Sequence, residues 1–196
     1  MSASEKPLHI DIPVTLPLTY SHRLMAQEPI RTKSGAVRIV DSSNFPATKM
    51  IAGGLVEIEP DGGRELHWHS NSDELQYYIE RKARMTVYAS GSDEQTFLYQ
   101  GGNVGYVPKG MPHYIENTGV TRLRYLEFWR SDRFADVSLA QWLAFTPYEL
   151  VKAHLNIDRS VLAGVSTVVE AEAGQWQWTY SFGYRLRQGG SGQQSA

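Results

Sequence analysis

Short apolar stretches alternate with turn residues along the middle of the chain, and their spacing predicts strands rather than helices. From Ala36 onward strand signals recur at 37–40, 50–59, 65–69, 74–80, 83–89, 96–99, 103–107, 113–117 and 122–129. Between them lie Pro60-Asp61-Gly62-Gly63, Ser90-Gly91-Ser92-Asp93, Gln100-Gly101-Gly102, Pro108-Lys109-Gly110 and Asn117-Thr118-Gly119, residue types that supply the backbone angles of tight turns. Many short strands with regular turns predict an all-β sandwich or barrel. Within 122–129 the period of two places Tyr125, Glu127 and Trp129 on one face and Leu126 and Phe128 on the other.

The flanks read differently. Residues 1–34 are dotted with Pro7, Pro13, Pro17 and Pro29 and are expected to form an extended arm with edge-strand pieces such as residues 8–12, packed on its own or a neighbouring subunit. Beyond residue 130 the pattern becomes helical. Ser138 with Gln141, and Thr146 with Pro147 and Glu149, are capping-box signatures that predict short helices over 138–144 and 147–155. Leu139, Trp142 and Leu143 on the first, with Leu150, Val151 and Leu155 on the second, form apolar stripes suited to close against each other or a second subunit. The expected division is an arm over 1–34, a barrel over 35–130, a helical segment over 131–165 and a tail over 166–196, its Gly- and Ser-rich end from Gly189 disordered.

Composition narrows the function. A chain of 196 residues, 41% hydrophobic and 11% aromatic, suffices for one buried core and is too short for two full enzyme domains. A net charge of -2 gives no electrostatic reason to expect nucleic acid or an anionic membrane as partner, which leaves small molecules. Residues 1–16 intersperse Glu5, Lys6, His9 and Asp11 among apolar positions, so neither a signal peptide nor a membrane span is expected, and the cytoplasm is the default location. Cysteine is absent, so any metal site must be built from nitrogen and oxygen.

His67 and His69 share one face of a predicted strand and can reach one ion together. Asp73 and Glu74 open the next strand and point to opposite faces; periodicity does not choose between them. His113 begins a strand just after the turn Pro108-Lys109-Gly110. An isolated His-x-His pair is more often an ordinary packed or polar pair. Here all the candidate ligands fall at strand ends in one half of a barrel, while His9, His22 and His154 have no comparable surroundings. Three imidazoles and one carboxylate suit several divalent metals; an octahedral Mn or Fe keeps two adjacent positions open for substrate and water or dioxygen, whereas a tetrahedral zinc would be closed.

These residues carry a resemblance. The chain is identified as a member of the cupin superfamily, whose first motif is matched at His67, His69 and Glu74 and whose second is matched at Gly102, Pro108, Gly110, His113 and Asn117. The stretches Arg64-Glu65-Leu66-His67-Trp68-His69, Asp73-Glu74-Leu75-Gln76-Tyr77-Tyr78-Ile79 and Ala135-Asp136-Val137-Ser138-Leu139 are similar, more closely, to the carboxy-terminal cupin domain of bicupin oxalate decarboxylases, with similarity over residues 30–155. The resemblance implies a double-stranded β-helix, or jelly-roll barrel, with metal ligands His67, His69, Glu74 and His113. It implies Mn2+ as the ion, with Fe2+, Ni2+, Co2+ or Zn2+ as alternatives, and conversion of oxalate with a proton into formate and carbon dioxide in the presence of dioxygen. A homo-oligomer is expected on the same grounds. Arg64 matches a family arginine over the metal, where a guanidinium holds a substrate carboxylate by two parallel hydrogen bonds. Glu127 matches a glutamate beside the ion that handles protons, and the pair are the expected catalytic residues.

The chain departs from the pattern in places. Asp61 and Arg81 stand where the motif has glycine, at a cost of about 1 kcal/mol for Arg81 if its φ is positive. The amino-terminal domain of those enzymes carries a glutamate in the lid loop after the last core strand, and the carboxy-terminal domain a tyrosine. Here that loop reads Ser131-Asp132-Arg133-Phe134-Ala135-Asp136, leaving Asp132 or Asp136 as substitute proton donors. Without a placed acid, the same site would take oxalate to carbon dioxide and hydrogen peroxide, act as a dioxygenase or isomerase on another small acid, or bind an anion without turnover.

Overall fold

A computed structural model describes residues 19–162 of the chain. Eleven strands occur in the described residues: β1 (Ile30–Thr32), β2 (Gly35–Val40), β3 (Ala52–Ile58), β4 (Gly63–Trp68), β5 (Glu74–Glu80), β6 (Lys82–Ala89), β7 (Asp93–Gln100), β8 (Val104–Val107), β9 (His113–Asn117), β10 (Leu123–Trp129) and β11 (Val137–Ser138). They form two antiparallel sheets, ordered β1-β2-β3-β10-β5-β8 and β11-β4-β9-β6-β7. Chain neighbours β3 and β4, β4 and β5, and β9 and β10 lie in different sheets, as in a jelly roll whose strands cross between two layers. The predicted all-β barrel is the fold observed, with β9 at its predicted bounds. The two-residue β11 and the three-residue β1 were too short to register as periodic patterns.

Alternation decides what fills the barrel. On β10 the odd positions Leu123, Tyr125, Glu127 and Trp129 are buried, and on β5 the even positions Glu74, Gln76 and Tyr78. One continuous core draws on both sheets: Val37, Ile39, Val56, Tyr78 and Tyr125 from the first, Ala83, Met85, Val87 and Ile115 from the second. Burying such side chains contributes about 1.5–3 kcal/mol each.

The segment before β1 lies along β2, where Gln27 Nε2 donates to Ile39 O at 2.9 Å and Arg38 Nε donates to Gln27 O at 3.1 Å. The expected strand piece at residues 8–12 and the expected tail from residue 166 lie outside the described residues. Helix α1 (Leu139–Phe145) has the predicted capping box, with Gln141 N donating to Ser138 Oγ at 3.0 Å. The second cap is corrected. Pro147, not Thr146, occupies the cap position of α2 (Tyr148–Leu155), without a side-chain bond, because Thr146 Oγ1 donates backwards to Trp142 O at 2.7 Å and closes α1 instead. The apolar stripes do not close on each other either: α1 packs on β4 and β11, Val151 is buried, and Trp142, Phe145, Leu150 and Leu155 remain exposed. A four-residue helix, α3 (Arg159–Leu162), follows. No helix among the described residues is long and apolar enough to cross a membrane.

Both motif positions that lack glycine adopt the left-handed backbone conformation, Asp61 with φ 58° and Arg81 with φ 76°. Aspartate tolerates it better than arginine. Arg81→Gly is therefore expected to raise the unfolding free energy by about 0.5–1 kcal/mol, measured by urea denaturation; a loss of stability would show that Arg81 carries compensating contacts.

Candidate metal centre

Strand β4 delivers Arg64 and His67, with His69 just past its end, and it does so by breaking its own alternation. Arg64 and His67 have opposite parity, yet both are buried. The pairing of β4 with β9 shifts register between Arg64 and His67. Such a bulge inserts an unpaired residue and turns the following side chains to the other face, so Arg64, His67 and His69 all point inward. His113 opens β9 opposite His67, and Glu74 opens β5. The ligand atoms of His67, His69, Glu74 and His113 all lie within 4.8 Å of one another, and all four residues are buried. An ion bonded at about 2.1 Å spans about 4 Å between opposite ligands, so the group is sized to hold one. Asp73, left open by periodicity, instead faces outward and accepts from Lys109 N at 2.7 Å.

Each imidazole is oriented from behind. The Nδ1 atoms of His67, His69 and His113 lie 2.7, 2.9 and 3.1 Å from the carbonyl oxygens of Glu65, Ala135 and Met111. A carbonyl only accepts, so Nδ1 carries the proton and the neutral ring turns its Nε2 lone pair to the centre. His67 Nε2 and His69 Nε2 make no hydrogen bond, although His69 Nε2 is 2.7 Å from Glu74 Oε2 and His113 Nε2 is 3.1 Å from it. Lone pairs facing a carboxylate at this range call for a cation between them. With no ion shared, positive charge on the rings takes its part. Burial pushes the Glu74 carboxyl up, but the charge of a protonated His69 and hydrogen bonds from His113 and His69 outweigh it and hold it well below the usual carboxylate range. Burial in turn lowers the His69 pKa, and Glu74 raises it. Burial, reinforced by the charge of Arg64, holds His67 neutral.

Glu74 is itself held by a relay along its own strand. Gln76 Nε2 donates to Glu74 Oε1 at 2.8 Å, and the Tyr78 hydroxyl donates to Gln76 Oε1 at 2.6 Å. Gly105 lies opposite Gln76 on β8, and a Cβ there would sit 2.9 Å from Gln76 Oε1, so glycine makes room for the relay.

Beside the cluster, Arg64 Nη1 donates to Glu127 Oε1 at 2.7 Å and Nη2 donates to Asp136 Oδ2 at 3.2 Å. Burial works against the Arg64 charge, but Glu127, Tyr125 and Asp136 outweigh it and raise its pKa. Glu127 is pushed up to about 8 by burial, against the pull of Arg64 and with the help of Glu74. Residues 131–136 cross the site as a strap. Phe134 packs on Trp129 and His69, with ring centroids 4.5 and 5.6 Å apart. Asn71 Nδ2 donates to Ser131 Oγ and Arg133 O, and Phe134 N donates to Asp41 Oδ2 at 3.2 Å. Asp132 accepts from Ser42, and is exposed, away from the cluster.

The Cupin family profile matches residues 22–162. The chain belongs to the cupin family. This cupin is 52% identical over 144 residues to oxalate decarboxylase OxdC of Bacillus subtilis (strain 168), covering 74% of its own length and 37% of the relative. To a probable oxalate decarboxylase of Arthroderma benhamiae it is 46% identical over 129 residues, 65% of this chain and 32% of that one. A solved structure of Bacillus subtilis oxalate decarboxylase, studied for its Mn(II) centres, matches with a TM-score of 0.77 and 48% identity over 81% of this cupin and 42% of that chain. The cupin thus spans well under half the length of these relatives.

Among the expected site residues, all six are brought together: His67, His69, Glu74 and His113 as one cluster, Arg64 and Glu127 as a buried pair beside it. Sequence reasoning missed Gln76 and Tyr78, although a polar residue at an inward position of β5 was the available signal. It also missed the three carbonyls behind the histidines, which no side-chain pattern reveals.

The raised pKa of Glu127 has a measurable consequence. Unfolded, the carboxyl titrates near 4.5; folded, near 8. The folded state therefore holds an extra proton between these values, and its stability falls as pH rises through that window. Removing the titration by Glu127→Gln is expected to stabilise the metal-free protein relative to the parent by roughly 2–4 kcal/mol more at pH 8 than at pH 5, read by urea unfolding at both pH values; parallel pH curves would contradict it.

Proposed function

We propose that this cupin binds Mn2+ through His67, His69, Glu74 and His113 and decarboxylates oxalate to formate and carbon dioxide, with Arg64 and Glu127 as its catalytic residues. The observation that carries the reading is the buried Arg64–Glu127 pair, at 2.7 Å, set against a cluster of three imidazoles and one carboxylate. The donor set fits the ion: three Nε2 atoms aimed inward by carbonyls and one ionised carboxylate. The similarity to oxalate decarboxylases at about half identity supports the substrate.

Bound Mn2+ with dioxygen would supply the one-electron chemistry that loosens the carbon–carbon bond. The protein's part is positioning and proton handling. Arg64 holds the anion by its guanidinium, in a buried site where charge-assisted bonds are strong. Phe134 and Trp129 close the surroundings against water. Oxalate dianion becomes formate and carbon dioxide with the uptake of one proton, and Glu127, whose pKa burial raises, is placed to bear that proton on a carboxyl whose Oε2 makes no hydrogen bond.

Oxidation of oxalate to carbon dioxide and hydrogen peroxide is the second reading, favoured by the placement of Asp132 on Ser42 and Asp136 on Arg64, neither of which is set up to deliver a proton. Mn-loaded protein given oxalate at mildly acid pH is expected to release formate and carbon dioxide in equal amounts without peroxide, and Glu127→Gln to lower kcat by about 10²–10⁴. Peroxide in place of formate would select oxidation, and neither product an anion-binding role.

We also propose a homo-oligomer. Trp142, Phe145, Leu150 and Leu155 on the helices, and Leu75, Tyr77, Val104 and Tyr106 on the outer face of β5 and β8, are large exposed apolar groups of the kind that mark interfaces. Sedimentation velocity should find a species larger than the monomer; a monomer at micromolar concentration would remove this part.

A further inference from the structure

Resting on the oxalate reading, we propose that Asp136 is an internal competitor for the substrate anion. Its carboxylate holds one Arg64 donor and part of the charge that would otherwise meet a substrate carboxylate. Arg64, Glu127 and Asp136 are 4%, 0% and 7% exposed, so their bonds are made out of water. A guanidinium grips a carboxylate through two parallel N–H donors. Both terminal nitrogens of Arg64 are already engaged, Nη1 by Glu127 at 2.7 Å and Nη2 by Asp136 at 3.2 Å.

An incoming carboxylate that takes the parallel N–H pair of Nη1 and Nη2 competes with both acids for this charge, and the two are held unequally. Glu127 makes the shorter bond, lies fully buried on β10, and already leaves Oε2 without a partner. Losing Arg64 would strip its shortest hydrogen bond from a fully buried carboxyl. Asp136 makes the longer bond, is the more exposed of the two, and sits on the strap rather than on a core strand. Asp136 is the one that yields.

The competition is one of charge. One guanidinium already faces the carboxyl groups of Glu127, Asp136 and Glu74. An added anion shares that positive charge with Asp136 and is repelled by it, a dianion more than a monoanion, because the repulsion grows with the ligand's charge. Asp136 therefore lowers the affinity for every anion at Arg64 and helps expel a product carboxylate such as formate.

The test is calorimetric titration of Mn-loaded parent, Asp136→Asn and Asp136→Ser with formate and, separately, with oxalate. Asparagine keeps the shape and an accepting oxygen while removing the charge; serine serves if the first variant fails to fold. Both variants are expected to bind formate about tenfold tighter and oxalate tighter by at least the same factor, with KM for oxalate falling more than kcat and manganese content unchanged. Unchanged or weaker formate binding in the variants would make Asp136 a support for Arg64 and overturn the proposal. If oxalate does not bind but the variants gain affinity for formate, the oxalate reading falls and the competitor stands; if neither anion binds any form, both fall.

Discussion

A carboxylate taken wholly out of water has to be answered by positive charge, and Glu74 is the point at which this barrel meets that demand. Moving an ion-sized charge into the interior costs several kcal/mol even after relaxation. Three imidazoles surround Glu74, yet carbonyl acceptors take their Nδ1 protons, so in their neutral form none has a proton left to donate to it. The arrangement is unfavourable for a set of hydrogen bonds and favourable for a cation shared by three lone pairs and one carboxylate. The Gln76–Tyr78 relay and the bulge in β4 serve the same end, since each fixes a ligand that would otherwise relax away from its neighbours.

Arg64 extends the theme to the substrate side. Its charge stays in place because the carboxyl groups of Glu127 and Asp136 outweigh burial, and the same neighbours decide how much of that charge a ligand meets. Glu127 is caught between opposite influences, pushed up by burial and by Glu74 and pulled down by Arg64. A carboxyl balanced near neutrality is suited to moving a proton. Two acids on one strand pair thus take different roles because their surroundings differ: Glu74 faces imidazoles and stays ionised, while Glu127 faces an arginine already shared with Asp136.

The strap over residues 131–136 ties this chemistry to the fold. Ala135 presents the carbonyl behind His69, Phe134 fills the space against Trp129, and Asp136 reaches Arg64. Short β11 then pairs with β4 beside His67. The loop that closes the barrel is therefore also part of the wall of the site.

Much of this was written in local pattern. Turn residues at short spacing determined an all-β chain, because backbone angles at Gly, Pro and Asp are decided within a few residues. Alternation on β10 determined that Glu127 faces the core with Tyr125 and Trp129, and the His-x-His spacing put two ligands on one face. Tertiary structure decided the rest. Parity alone would have turned Arg64 away from His67; only pairing with β9 shows the bulge that brings both inward. Periodicity left Glu74 and Asp73 open and only the resemblance chose Glu74; the buried side of β5 supplies the physical reason. The helix stripes allowed closure on each other or on a second subunit; the fold sets α1 on β4 and β11 and leaves Trp142, Leu150 and Leu155 exposed. Asp136 gained its meaning only when a segment 72 residues along the chain folded back onto Arg64, since no local rule records which distant groups will share a desolvated charge.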